Sequence, residues 1–461
     1  MENLEYISLT VLTVLEFFIG IAFLNLCRKA KESCISFIMF FCGMTIMSSE
    51  VIPAFYCIIT DVPQYFPLLR KWSWPFGQML SLLYWGGLYL TLKTNKNIQI
   101  YMLDKISKYC PLKLVYCILI IGIVLSIIGI QSKPIEEIQA GYTAANWIIK
   151  HEYDPTNISL FSGIIRPFGR LFYPFYFILL YLLLTKIKQH IRVRYIIIIS
   201  FIFCGIIIKL ISDLLMGGRG TILEIGFMTL VVLWLSFNKK IALNIFGVIL
   251  IVALFLSPII LSYRNDTTNY IKATSEEKIF NIQQIISDES KLVLWFSEIG
   301  RVIERFDGVP NGGNLSLYSL EKGNVYFTPY IGSLVSFIPR IVWNDKPYPK
   351  SGDGRVTGVP EWMSGQVSDR PWLCTSVSIA SIAFWHFNFP GILILFSVHG
   401  LLLRQIAAIG DKLKRYELFL FLWFLLNPLL SIDYIIFNFM QSILPLFVIS
   451  IPLKLFITDN K

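Results

Sequence analysis

A glycine-rich turn at residues 217–220 places one arginine, Arg219, beside the start of a long apolar stretch. Glycine lets the backbone approach a ligand closely, and the first N–H groups of a helix bind anions. With a guanidinium group added, this pattern is typical of a phosphate or diphosphate site. The alternative is a tight hairpin in which Arg219 reaches the lipid headgroups while Thr221 and Glu224 form a capping box.

A second pair of cations lies in the aromatic, proline-containing segment 337–347. Arg340 and Lys346 flank Trp343 there, in a setting that suits an anionic lipid headgroup or a diphosphate. Anchoring of Trp343 at the membrane interface, with Lys346 in water, explains the same residues without a ligand. The local pattern leaves both interpretations open.

Groups that could transfer protons lie in two further places. Glu298, Arg301, Glu304 and Arg305 are spaced three and four residues apart, which predicts ion pairs along one helix. If that helix lines a cleft, either glutamate is a candidate general base. His386 follows an aromatic pair just before an apolar stretch; it is either a structural histidine or a second candidate base.

Composition indicates an integral membrane protein. Hydrophobic residues make up 55% of the 461 residues and charged residues 15%, against roughly 25% charged in soluble domains. The net charge of +10 arises from short Lys and Arg clusters between apolar runs. That distribution is typical of topology signals and argues against nucleic-acid binding. The eight cysteines show no paired spacing, which predicts small core residues and no disulfide framework.

We therefore predict an all-α, polytopic membrane protein with about eleven transmembrane helices. The predicted spans are 6–26, 36–59, 74–92, 114–132, 168–185, 195–215, 221–237, 241–262, 388–405, 417–432 and 434–456. Basic clusters follow every odd-numbered span, so the N-terminus is predicted outside and the C-terminus in the cytoplasm. Glu16, Glu50 and Asp433 fall at scattered positions in or near spans, where we expect them to face the bundle interior or an interface.

Three regions follow from this topology. Residues 1–262 form a bundle of eight spans, residues 263–387 a large external loop, and residues 388–461 a bundle of three spans. The loop is far longer than a connection requires, and such loops usually carry function. We expect interfacial or re-entrant helices within it, among them the apolar, proline-interrupted stretch 326–342. No metal or nucleotide motif is visible, so we predict no metal and no cofactor, and chemistry outside the membrane must use an activated substrate.

The chain resembles the Wzy-type O-antigen and oligosaccharide repeat-unit polymerases of bacterial surface polysaccharide pathways. The resemblance rests on the large late loop and on three stretches, residues 217–220, 338–347 and 376–400. It covers the architecture of nearly the whole chain, whereas the motifs cover about a tenth. An Arg-x10-Gly spacing found in some members of the family occurs once, at Arg301 and Gly312.

The resemblance implies a metal-independent glycosyltransferase of the inner membrane, acting on an oligosaccharide linked to undecaprenyl diphosphate at the outer face. Arg219 and Arg340, then Arg301, Arg305 and Lys346, would bind the diphosphate, and Glu298, Glu304 or His386 would take the acceptor proton. Membrane lipid and a chain-length regulator protein are the further partners expected. Two alternatives stay open: an O-antigen ligase or other polyprenyl-diphosphate-dependent glycosyltransferase, and a polysaccharide flippase or transporter.

Overall fold

The structure is a computed structural model of the full chain. It describes the following residues: 3–60, 70–94, 117–121, 123–124, 172–189, 199–200, 203–207, 220–237, 239–249, 251, 308–335, 338, 377–429 and 432–443. All regular structure within these residues is helical. The predicted all-α class is confirmed for this part of the chain.

Eleven α-helices position the features that follow. They are α1 (Asn3–Lys29), α2 (Ser33–Ile46), α3 (Ile52–Thr60), α4 (Ser73–Thr94), α5 (Phe172–Gln189), α6 (Gly220–Ser236), α7 (Val309–Lys322), α8 (Thr328–Leu334), α9 (Ile379–Asp411), α10 (Tyr416–Leu426) and α11 (Ile432–Asn438). Two π-helical segments, Met47–Val51 and Phe439–Ile443, continue α2 into α3 and extend α11.

Three helical stretches of the described chain are long and apolar enough to cross a membrane: Leu4–Lys29, Ser33–Ile59 and Ile379–Asp411. Shorter apolar helices occur at Tyr173–Ile187, Glu224–Ser236 and Tyr416–Leu426. This supports a membrane protein of helical type. The predicted number of about eleven spans and the sidedness of the termini stay predictions.

The chain divides into two units. Unit 1 comprises Met1–Ser107, Ile303–Arg415 and Leu426–Gln441, and unit 2 comprises Lys108–Val302, Tyr416–Leu425 and Ser442–Lys461. In unit 2, α5 packs against α6. The centroid of the Phe177 ring on α5 lies 6.5 Å from that of the Phe424 ring on α10. The predicted boundaries at residues 262 and 387 concern sides of the membrane and are not tested by this division.

Helix α4 is the centre of unit 1 and contacts α1, α7 and α9. Glycines bring α7 close to α4: a Cβ on Gly313 would overlap the carbonyl of Ser73, and one on Gly77 would overlap the carbonyl of Val309. Small residues spaced four apart, here Ser73 and Gly77, allow such close approach of helices. Part of the predicted external loop is therefore packed firmly against the long helices.

A carboxyl group from a distant helix caps the start of α2. The backbone nitrogens of Cys34 and Ile35 each donate to a side-chain oxygen of Asp411, both at 2.9 Å. The residue in the N-cap position itself, Glu32, makes no side-chain cap hydrogen bond. Because the first N–H groups of a helix have no partner within it, Asp411 supplies acceptors that the local sequence does not.

Two predicted spans have different limits in the structure. The ninth was predicted to begin at residue 388, which lies in a break at Phe387 and Asn388 after which α9 resumes. The structure adds an earlier helical part that begins at Ile379, with Ser378 as its N-cap accepting from the backbone nitrogen of Ser381. The polar and aromatic residues of this first part lowered its apolar signal. The tenth was predicted to reach residue 432, but α10 ends at Leu426, just before Asn427 with φ 44°.

Candidate functional site

His386 lies inside α9, immediately before a break in that helix. Phe387 and Asn388 have non-helical backbone angles (φ −141°, ψ 23° and φ 54°, ψ −147°), and Pro390 follows. Proline has no N–H to offer the carbonyl four residues earlier, which is that of His386. A positive φ is strained for any residue other than glycine and is often found at functional sites.

Asn324 binds backbone carbonyls beside the break, and Asn388 in turn binds Asn324. The side-chain nitrogen of Asn324 donates to the carbonyls of Phe384 (2.9 Å) and Trp385 (3.1 Å). The side-chain nitrogen of Asn388 donates to the side-chain oxygen of Asn324 at 3.0 Å. A non-helical backbone at membrane depth requires such internal partners. The segment after α7 therefore holds the broken helix in place.

A backbone carbonyl orients the His386 ring. The side chain is 1% exposed, and its Nδ1 lies 2.7 Å from the carbonyl oxygen of Tyr326, a residue with φ 50°. Because a carbonyl only accepts, Nδ1 must carry the proton and donate. In the neutral ring the lone pair then lies on Nε2, the nitrogen that accepts a proton.

The His386 ring forms part of the wall of a small, mainly apolar cavity in unit 1. The Tyr330 ring centroid lies 4.8 Å from that of His386, and the Phe387 ring is 5.0 Å from that of Phe327 in an edge-to-face arrangement. Aliphatic side chains complete the wall: Ile379, Ile382, Ala383, Ile394, Leu395 and Ile432. We call His386, its Tyr326 and Asn324 partners and this cavity the His386 site.

The other predicted site residues lie outside the described residues. These are Glu298, Glu304, Arg219, Arg340, Arg301, Arg305 and Lys346. Of the predicted site, the structure therefore describes only His386, and the grouping of the other seven stays a prediction. Gly220 is the first residue of α6, as expected for a helix that follows the glycine-rich turn.

Residues that the sequence did not single out fasten α7 next to this site. Arg70, just before α4, pairs with Glu321 on α7 at 2.6 Å, and its guanidinium group lies 5.5 Å from the centroid of the Tyr318 ring. Its backbone nitrogen donates to the side chain of Asn314 at 3.3 Å. Nothing in the sequence marks these partners, because they are more than 240 residues from Arg70.

A second buried polar group of unit 1 contains Glu16 and Glu50, which the sequence predicted to be scattered. Both are buried, and their side chains are hydrogen-bonded to one another. The side-chain nitrogen of Gln78 donates to Glu16. Ser81 and Trp85 donate to the two oxygens of Glu50, each at 2.7 Å. We call these five residues the carboxyl cluster.

Within the described residues, no group of three or more His, Cys, Asp or Glu side chains is placed to hold a metal ion. Comparison with family models, with curated proteins and with solved structures gives no match for this chain. The chemistry of the two sites must therefore be argued from their geometry.

Proposed function

We propose that this protein is a membrane glycosyltransferase that polymerises oligosaccharide repeat units linked to undecaprenyl diphosphate. The proposal includes the finer topology: about eleven spans in the inner membrane, an external N-terminus and a cytoplasmic C-terminus. The resemblance to Wzy-type polymerases supports it, as does the His386 site. A lipid-linked substrate requires apolar surroundings beside a polar reaction centre, and that combination is what surrounds His386.

The orientation of His386 is the observation that carries the proposal. Its Nδ1 is engaged by the Tyr326 carbonyl, so Nε2 is the basic nitrogen of the neutral ring, and the residue lines an apolar cavity. A general base needs a fixed tautomer and a position beside the substrate. Backbone orientation of a buried histidine provides the first, and we propose that the acceptor hydroxyl approaches the ring from the side of the cavity.

In the proposed reaction, a hydroxyl oxygen of the acceptor repeat unit attacks the anomeric carbon of the donor glycan. The bond from that carbon to the diphosphate oxygen breaks, and the diphosphate leaves with the bonding electrons. The hydroxyl proton passes to Nε2 of His386, or to Glu298 or Glu304. Arg219 and Arg340, followed by Arg301, Arg305 and Lys346, would stabilise the charge of the departing diphosphate.

The experiment uses the full chain in liposomes with a synthetic polyprenyl-diphosphate oligosaccharide. Wild-type protein should yield a ladder of glycans that differ by one repeat unit, with no added metal. Arg219→Ala and Arg340→Ala should each abolish extension, and lysine at either position should rescue poorly if the phosphate contact is bidentate. Wild-type activity in both alanine variants would remove these residues from the mechanism.

A deletion strain separates the alternatives. Loss of a polymerase should leave surface lipid that carries a single repeat unit. Loss of all surface glycan would indicate a ligase or a flippase instead. A transporter is the second candidate because α9 is interrupted and the carboxyl cluster is buried between helices, and both features occur in transporters.

A further inference from the structure

The carboxyl cluster joins three separate parts of unit 1. Glu16 lies on α1, Glu50 on the π-helical segment Met47–Val51, and the other three residues on α4. The stretches Leu4–Lys29 and Ser33–Ile59 are both long and apolar enough to cross a membrane. Two carboxyl groups therefore meet between helices in an apolar region, where an ionisable group is costly and usually functional.

The contact between the two carboxyl groups implies a proton. An ionised carboxylate only accepts hydrogen bonds, so two carboxyl groups form one with each other only if one of them is protonated. Glu50 is hydrogen-bonded to Glu16 in addition to accepting from Ser81 and Trp85. Two adjacent carboxylates repel each other, and sharing one proton removes that repulsion.

An unsatisfied acceptor independently indicates a ligand. The side-chain oxygen of Gln78 is buried and has no hydrogen-bond partner within the described part of the chain. The nitrogen of the same amide donates to Glu16, so this oxygen lies at the edge of the carboxyl cluster. Buried acceptors without a donor cost about 1–3 kcal/mol, and an added proton on a neighbouring oxygen would supply the donor.

The surroundings of Glu50 favour a proton over a metal cation. Ser81 and Trp85 direct an O–H and an N–H at its two oxygens, each at 2.7 Å. A metal ion on these oxygens would face the hydrogens of both donors. Among the described residues that contact Glu50 there is no Lys or Arg to neutralise a charge on it.

We propose that the carboxyl cluster is a proton-binding site in the membrane-spanning part of the protein. One proton binds to the pair of Glu16 and Glu50, converting one carboxylate into a carboxyl group that donates to an adjacent acceptor, either the other carboxylate or the Gln78 oxygen. Loss of that proton leaves two adjacent negative charges, one on α1 and one on the π-helical segment Met47–Val51, so proton binding holds these two elements together on α4. This site is separate from the His386 site and does not depend on the proposed glycosyl transfer.

Other ionisable groups face the carboxyl cluster and enter its pH dependence. Tyr84 on α4 lies close to Glu50 and to Cys42 on α2. The Tyr84 hydroxyl lies 2.7 Å from Nδ1 of His399 on α9. The ionisable groups at this site come from α1, α2, the π-helical segment, α4 and α9, and they are Glu16, Cys42, Glu50, Tyr84 and His399.

The test is labelling of the full-length protein in liposomes with dicyclohexylcarbodiimide, which reacts with protonated carboxyl groups in apolar surroundings. Mass spectrometry of wild-type peptides should find the adduct on Glu16 or Glu50, with labelling that decreases as the pH rises. Glu321, which is exposed and paired with Arg70, is the internal control and should remain unlabelled. No variant is needed, so misfolding does not affect the result.

Infrared spectroscopy provides a second measurement that does not require reagent access. The carbonyl stretch of a protonated carboxyl group should be present in wild-type protein, shift in Trp85→Phe and disappear in Glu50→Gln, while Glu321→Gln leaves it unchanged. Absence of both the adduct and this band would overturn the proposal. Labelling that is blocked by sodium chloride but not by choline chloride would also overturn it, in favour of a metal-cation site.

Discussion

The His386 site and the carboxyl cluster hold their buried ionisable groups by different contacts, one through the backbone and the other through side chains. At the His386 site the helix is broken, and the ring is oriented by the carbonyl of Tyr326. In the carboxyl cluster the helices continue past the site, and side chains from α4 hold Glu50. A backbone contact survives substitution of neighbouring side chains, whereas a contact between side chains does not. The two sites should therefore respond differently to mutation.

The largest expected effect separates catalysis from stability. His386→Gln should lower the rate of glycan extension by about 10²–10⁴-fold, because it removes the proposed base, while the glutamine amide can still donate to the Tyr326 carbonyl. Turnover in liposomes, normalised to folded protein, measures this effect. His399→Gln is the matched control, since that buried histidine contacts Tyr84 and lies away from the cavity. Equal losses in both variants would contradict a catalytic role for His386.

The next effect tests whether the two sites are independent. Gly313→Ala places a methyl group against the carbonyl of Ser73, so we expect α7 to shift from α4 and unfolding free energy to fall by about 3 kcal/mol. Because α7 leads to Asn324, glycan extension should fall while the carboxyl infrared band persists. Denaturation in detergent measures stability. Gly247→Ala, which meets no atom within 4 Å, is the control, and an equal loss there would refute the packing argument.

How far the sequence predicted these sites depends on the range of the contacts. Apolar length predicted the limits of α1 and α4 within a few residues, because a long apolar helix satisfies its own backbone groups. Thirty-four residues separate Glu16 from Glu50, and nothing local indicated that they meet. The break beside His386 was not predicted for a related reason: the broken helix is supported by Asn324, some sixty residues earlier.

The large external loop also has contacts that the sequence could not predict. The sequence predicted an external region at residues 263–387, and its described helix α7 packs on α4 through Gly313. Glycine adds little to the hydropathy of a segment, so hydropathy could not predict that α7 packs on α4 at Gly313. The diphosphate residues Arg219 and Arg340 stay predictions, since they lie outside the described residues.

A smaller effect is expected when one hydrogen bond of the carboxyl cluster is removed, and a hydrogen bond within a single exposed helix turn provides the comparison. Ser81→Ala removes a donor to buried Glu50, and we expect a loss of about 1–3 kcal/mol of unfolding free energy. Ser397→Ala removes a hydroxyl that bonds only the carbonyl of Leu393 in its own exposed helix turn, so it should change stability by less than about 0.5 kcal/mol. Thermal unfolding in detergent measures both variants. If the two lose equal stability, the Ser81 hydroxyl does not support Glu50.

The smallest effect concerns a carboxyl group that is stabilised without a carboxyl partner. Asp411 accepts from the first backbone nitrogens of α2, where the partial positive charge of the helix end favours it. Asp411→Ala should therefore cost about 0.5–2 kcal/mol of unfolding free energy, and Glu32→Ala nearly nothing, because Glu32 makes no cap bond. Denaturation of both variants in the same detergent measures the difference. A larger loss for Glu32→Ala than for Asp411→Ala would mean that Glu32 caps α2 and that the contact with Asp411 contributes little to stability.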